Sequence, residues 1–308
     1  MTIASGPLIV DITGPVLVPE DREVLEHPSI GGVILFTRNY EGTSQLAALC
    51  RSLHALRPRA PLLVTVDHEG GRVQRFRTGF TDLPAAARCA DAAAAHAQGQ
   101  TLARELRACG VDLSFAPVLD VDRGLGSVIG DRAFGVDPGE VAELGAAWAA
   151  GMRAGGMAAC GKHFPGHGGV AGDSHHELPV DPRSLDEISG EDLVPFRTAI
   201  GAGIESLMMA HVLFPAVDAM PASLSRRWIG EILRGQLAFD GAIVCDDLSM
   251  AGASGFGGYA DRAAAALDAG CDALPVCNNR GGVIEIIESV RIAPDRTRAA
   301  RLARLAPR

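Results

Sequence analysis

Eight short apolar runs recur along the chain, separated by stretches that pattern as amphipathic helices. The runs span residues 7–12, 32–36, 62–67, 111–119, 157–164, 206–212, 242–246 and 273–277. They are rich in Val, Ile and Leu and do not alternate cleanly, which is how strands buried on both faces read. The intervening helices are expected at residues 44–55, 92–109, 138–155, 191–203, 225–236 and 261–270, with 284–304 as a closing helix and basic tail. Gly110, Gly203 and Gly270 follow three of them, where a glycine ends a helix. Eight strands alternating with helices predict an α/β fold, a single (β/α)8 TIM barrel. At 308 residues the chain is long enough for one such barrel, and no Ser- or Gly-rich linker divides it, so one domain over 1–308 is expected.

Composition narrows the function. Lys and Arg total 28 against 37 Asp and Glu, a net charge of -9, which disfavours nucleic acid and anionic membrane as partners. No apolar run is long enough to span a bilayer. The first fifteen residues carry no Lys or Arg and put Asp11 in their apolar stretch, a poor signal peptide and a good first strand. Seven cysteines with no CxxC pair read as reduced thiols of a cytoplasmic protein rather than a zinc cluster. No metal or other cofactor is expected, and the chain is expected to act as a monomer.

A barrel concentrates chemistry where strands end and loops begin. Here the apolar runs end on Asp67-His68-Glu69, Asp120, Lys162-His163, His211 and Asp246-Asp247, while their opposite ends begin with Pro7, Gly32, Pro61 and Gly241. Lys162 is the only lysine; the other 27 basic residues are arginine. A lysine surviving in such a composition marks a place for a compact ammonium rather than a planar guanidinium, or chance survival at a neutral surface position.

The densest segment runs from Lys162 to Pro179 and holds four of the nine histidines. Its glycines predict a mobile loop. Asp173 and His175 stand two apart, close enough for the carboxylate to orient the imidazole as an acid/base pair; solvated loop histidines or a metal site are the alternatives. His163 and His167 have helical metal-site spacing, but Pro165 and Gly166 between them oppose a helix. Of the adjacent acids, one is expected to point into the barrel mouth as nucleophile, base or ligand. Asp247 is the better helix cap, leaving Asp246 for the mouth. Asp67 with Arg72 or Arg75 suits a polyol clamp, and Arg132 is a further arginine ligand from the loop after the fourth strand.

Lys162-His163-Phe164-Pro165-Gly166-His167-Gly168, then four residues, then Asp173-Ser174-His175, resembles the signature of glycoside hydrolase family 3 β-N-acetylglucosaminidases. The resemblance extends to residues 32–40, 66–75, 112–121, 129–134 and 245–250, and so covers nearly the whole chain. It implies Asp246 as nucleophile and Asp173–His175 as acid/base dyad. It also implies Asp67, Arg75, Arg132, Lys162 and His163 as the grip on a terminal N-acetylglucosamine. The implied substrate is a small amino sugar of cell-wall recycling, N-acetylglucosaminyl-1,6-anhydro-N-acetylmuramic acid with or without peptide. Cys245 stands where serine is common, and His176 doubles the dyad histidine. Aromatic residues are only 5%, which favours an exo-acting pocket over a long stacking cleft. Three alternatives remain open: a Schiff-base aldolase using Lys162, phosphorolytic transfer of N-acetylglucosamine, and a non-catalytic sugar-binding barrel.

Overall fold

The structure, a computed structural model, describes residues 6–306, so the ends of the expected 1–308 domain, including the first five residues of the leader reading, lie outside it. Eight parallel strands appear in the expected order: β1 (Leu8–Asp11), β2 (Ile30–Leu35), β3 (Leu63–Val66), β4 (Leu113–Ser114), β5 (Cys160–Phe164), β6 (Ser206–Met209), β7 (Ala242–Val244) and β8 (Leu274–Val276). One ladder runs β8-β1-β2-β3-β4 and a second β5-β6-β7. Parallel bridges Leu113–Ala158 and Val118–Lys162 join β4 to β5, and Val244–Ala273 joins β7 to β8, completing a ring of eight. The fourth run, expected over 111–119, is a regular strand only over Leu113–Ser114, and beyond it the chain stays bonded to β5 through Ala116, Pro117 and Leu119.

Each strand is followed by a helix: α1 (Pro19–Leu25), α2 (Thr43–Leu56), α3 (Ala92–Ala108), α4 (Pro138–Ala154), α5 (Leu193–Gly201), α6 (Arg227–Gln236, wound as a π-helix), α7 (Tyr259–Ala269) and α8 (Arg280–Ser289). A ninth, α9 (Arg296–Ala303), follows. Two expectations change. The helix expected at 191–203 is preceded by a separate turn of helix, Leu185–Gly190, started by a reciprocal Ser184–Glu187 cap. The closing helix expected at 284–304 is two helices, interrupted around Pro294 and restarted by Asp295, whose carboxylate caps Thr297 and Arg298.

Side-chain parity along each strand sorts the core into two shells. Leu8, Val10, Val33, Leu35, Val64, Val66, Leu207, Met209, Ile243, Leu274 and Val276 face outward into the helices. Ile9, Ile34, Leu113, Phe115, Cys160, Met208, Ala242, Val244, Ala273 and Cys277 fill the interior of the ring. The same alternation, carried along the strands and just past their ends, puts Asp11, Asp67, Lys162 and Asp246 on the interior side of one mouth. The other end is closed by Leu302 and Leu305, from and just after α9, which pack on the interior shell. Arg301 and Arg304 hold this plug through Asp240 and Asp272.

The closed end also repeats one device. Gly110, Gly203 and Gly270, each at positive φ, are followed two residues later by Asp112, Glu205 and Asp272. Each carboxylate accepts the N–H of a residue in or next to the preceding strand: Val64 at 2.9 Å, Ala159 at 3.1 Å and Ile243 at 2.9 Å. Each also pairs with an arginine from the packed helices, Arg107, Arg153 or Arg234. The glycine reverses the chain out of the helix, and the acid then staples the new strand to its neighbour.

Candidate active site

At the open mouth the sole lysine is buried, 2% exposed, with Nζ 2.8 Å from Asp67 Oδ1 and 2.7 Å from Glu69 Oε1. Glu69, itself 8% exposed, receives Arg132 through two further bonds of 2.8 Å. Burial opposes the charge on Glu69, but Arg132 and Lys162 outweigh it and hold the carboxyl well below its usual range. Burial likewise opposes the Lys162 charge, and Asp67 and Glu69 more than reverse that, raising its pKa. A lysine kept protonated by two carboxylates is a poor Schiff-base nucleophile, so the aldolase alternative is not favoured.

His163 is oriented by a buried carboxylate, with Nδ1 2.7 Å from Asp120 Oδ2. Asp120 also accepts the His167 N–H at 2.7 Å. Burial works against its charge, and the two histidines outweigh it, keeping the carboxyl low. Arg75 is half-buried, its Cζ 5.8 Å from the centroid of the Phe36 ring, and its Nε is a buried donor with no partner. Arg72, by contrast, spends its guanidinium on Asp131 and the carbonyls of residues 127–129, tying the short hairpin of residues 68–74 to the loop after β4.

Asp246 is half-buried at the end of β7, and its Oδ1 accepts the Asp247 N–H at 2.9 Å. Burial opposes its ionisation; His211, His163, the Asp247 N–H and His175 together bring the pKa below the usual value. Asp247 turns aside, as expected of one of the pair, but it does not cap a helix. Its Oδ1 accepts the N–H groups of Ser249 (2.9 Å) and Cys277 (3.0 Å), pinning the loop to the end of β8. Burial pushes the Asp247 carboxyl up to about 6.

In the long loop, His175 Nδ1 lies 2.7 Å from Asp173 Oδ1, which also accepts the His175 N–H at 2.9 Å. His176 Nε2 stands 3.7 Å from the other carboxylate oxygen and its side chain is 81% exposed, so the paired ring is His175. The loop's glycines differ from expectation. Residues 161–168 are all buried, and a Cβ at Gly168 would lie 1.8 Å from Val121 O, one at Gly169 2.1 Å from Arg183 Nη2. These glycines serve close packing; the exposed part of the loop begins only at Ala171.

Of the expected site residues, Lys162 is bonded to Asp67 and linked through Glu69 to Arg132; Asp173 and His175 form a pair; and the charges of His163 and His175 help to lower the pKa of Asp246. Glu69 and Asp120 were visible as strand-end acids, but nothing in their spacing told which cations they would meet. Among the described residues no group of three or more His, Cys, Asp or Glu side chains is arranged to hold a metal ion.

The N-terminal domain of glycosyl hydrolase family 3 matches residues 14–305. The chain belongs to this family. This glycoside hydrolase is 54% identical over 309 residues to a β-hexosaminidase of Thiobacillus denitrificans, covering 96% of this chain and 86% of that protein. It superposes on native NagZ from Neisseria gonorrhoeae with a TM-score of 0.92 at 45% identity, covering 99% of this chain and 90% of that one. NagZ from the same organism solved with N-trifluoroacetyl-D-glucosamine is similar at 44% identity and a TM-score of 0.92, covering 99% and 91%. Among the described residues of the family 3 chain, no helix is long and apolar enough to cross a membrane.

Proposed function

We propose that this family 3 enzyme is a retaining exo-β-N-acetylglucosaminidase, with residues 1–308 acting as one catalytic domain. The observation that carries the reading is the Asp173–His175 pair at 2.7 Å, on a loop whose Ser174 carbonyl accepts the N–H of Gly252, six residues beyond the strand-end carboxylate Asp246. Asp246 Oδ1 is occupied by a backbone N–H, which leaves Oδ2 to attack the anomeric carbon. His175 Nδ1 is occupied by Asp173, which leaves Nε2 to give a proton to the departing glycosidic oxygen. The products of this step are a glycosyl ester on Asp246 and a neutral imidazole. His175 then takes a proton from water as that water attacks the anomeric carbon of the ester, breaking its bond to Asp246, which leaves as carboxylate, and releasing the sugar with its configuration retained. Asp67, Arg75, Arg132, Lys162 and His163 would grip the sugar; a relative bound to an N-acylated glucosamine supports that choice of sugar.

The substrate proposed is the anhydro-disaccharide of cell-wall recycling, with or without peptide, handled in the cytoplasm, where seven free thiols suit a reducing compartment. Incubation with purified anhydro-disaccharide, with mass-spectrometric analysis of products, tests it: free N-acetylglucosamine is expected, and an intact disaccharide overturns the reading. A neutral imidazole after proton donation would not repel an anionic acceptor, so the same incubation in phosphate distinguishes hydrolysis from formation of the sugar phosphate.

A further inference from the structure

Between the two members of the dyad, Ser174 behaves unlike its neighbours. It is 2% exposed, whereas the side chains of Asp173, His175 and His176 are 35%, 60% and 81% exposed. Its hydroxyl is hydrogen-bonded to His167 Nε2 at 3.0 Å, and its carbonyl accepts the N–H of Gly252 at 2.9 Å. His167 is itself 2% exposed and tied by its backbone to Asp120. Gly252 lies six residues beyond Asp246, in a single turn of helix, Ala251–Ser254, that follows β7. A Cβ there would stand 3.0 Å from His211 Cβ and 3.2 Å from Ser174 O, so glycine permits this approach. On the other flank Gly126 admits the Ala171 carbonyl, 2.9 Å from where its Cβ would be.

The dyad is meanwhile a self-contained unit. Both hydrogen bonds between Asp173 and His175 are local, and the Asp173 carbonyl accepts the N–H groups of His176 (2.8 Å) and Glu177 (2.9 Å), closing a single turn. Nothing in that turn needs the barrel in order to keep Asp173 on His175. What the barrel supplies is its location, through Ser174.

We infer that Ser174 is a positioning residue for the general acid: its hydroxyl, seated on His167, holds the preformed Asp173–His175 turn against the loop that carries Asp246. The inference rests on the acid/base reading above. Loss of the seat leaves the dyad intact but misplaced, so proton donation suffers while nucleophilic attack by Asp246 does not depend on it. The penalty therefore falls on substrates with poor leaving groups.

The test compares Ser174→Ala, Ser174→Thr and His175→Ala on the anhydro-disaccharide and on 2,4-dinitrophenyl N-acetyl-β-glucosaminide, with the burst of dinitrophenolate reporting formation of the intermediate. Ser174→Ala is expected to lose roughly 5–30-fold in kcat/KM on the disaccharide, the effect of one buried hydrogen bond, and no more than about threefold in the burst rate. Ser174→Thr, which keeps a hydroxyl, restores most of the disaccharide rate. Hydrogen exchange of the amides of residues 171–177 should quicken in Ser174→Ala while the barrel strands stay protected. Equal losses on the two substrates, or no loss on either, overturn the inference. Should His175→Ala itself lack the leaving-group pattern, the acid assignment fails; should His175→Ala show it and Ser174→Ala not, only the role of Ser174 falls.

Discussion

Glu69 and Arg132 meet in two parallel hydrogen bonds of 2.8 Å, with both side chains nearly out of solvent. The same carboxylate reaches Lys162, so one anion aligns two of the cations proposed to hold the sugar. Glu69→Gln leaves those cations short of a charge in a buried place, which typically costs about 3–5 kcal/mol. We expect a lower melting temperature and a KM that rises by more than kcat falls. Steady-state kinetics with an activated glycoside checks this; an unchanged KM would show that the cations are aligned without Glu69.

Lys162→Arg preserves charge and should still damage the enzyme. The ammonium sits between Asp67 and Glu69 at 2.8 and 2.7 Å with 2% of its side chain exposed, and a planar guanidinium is larger than that space. A loss of about 2–3 kcal/mol in transition-state binding is expected, as for a charged hydrogen bond. A near wild-type kcat/KM would mean that the lone lysine is an accident of composition.

Asp246 should carry the covalent intermediate. A 2-deoxy-2-fluoro or 5-fluoro glycosyl donor is expected to leave its mass on the peptide containing Asp246, and proton magnetic resonance should find the β-anomer released first. An adduct on another peptide, or initial α-anomer, contradicts the assignment.

Asp247 gives a pH-dependent stability. Its carboxyl titrates near 3.8 in an unfolded chain and at about 6 in the fold. Between those values the native state keeps a proton that the unfolded state has lost, so stability falls as pH rises and is lowest above 6. Asn can accept the same two N–H groups without a charge. Asp247→Asn should therefore be more stable than wild type by up to about 3 kcal/mol at pH 7.5, with the gain gone below about pH 4. Thermal unfolding at both pH values measures it, and equal gains at both would place the cause elsewhere.

The barrel was legible because buried strands announce themselves by composition and because the acids that stand beside histidine or lysine gather at one end of them, whereas Asp112, Glu205 and Asp272 at the other end each follow a helix-ending glycine. The dyad was legible for a local reason: Asp173 and His175 meet across a single turn, so sequence spacing is spatial spacing. Glu69–Arg132 and Asp120–His163 span 63 and 43 residues, and no local pattern reports which strand-end acid finds which cation. Helix α1 escaped because seven residues carry too little periodicity to stand out from a loop. Reading the glycines of the long loop as hinges failed at Gly168 and Gly169 because a glycine required by a close contact looks the same in sequence as one that confers freedom.

The plug formed by Leu302 and Leu305 sets the order in which the molecule can be finished. On the ribosome, every strand of the ring is made before the residues that shut its floor, and the interior cluster that begins with Ile9 is completed nearly three hundred residues later by Leu305. Without Leu302 and Leu305 the interior side chains at that end would lack the cover these two leucines give them. The arginines that clasp Asp240 and Asp272 fasten this late cover in place.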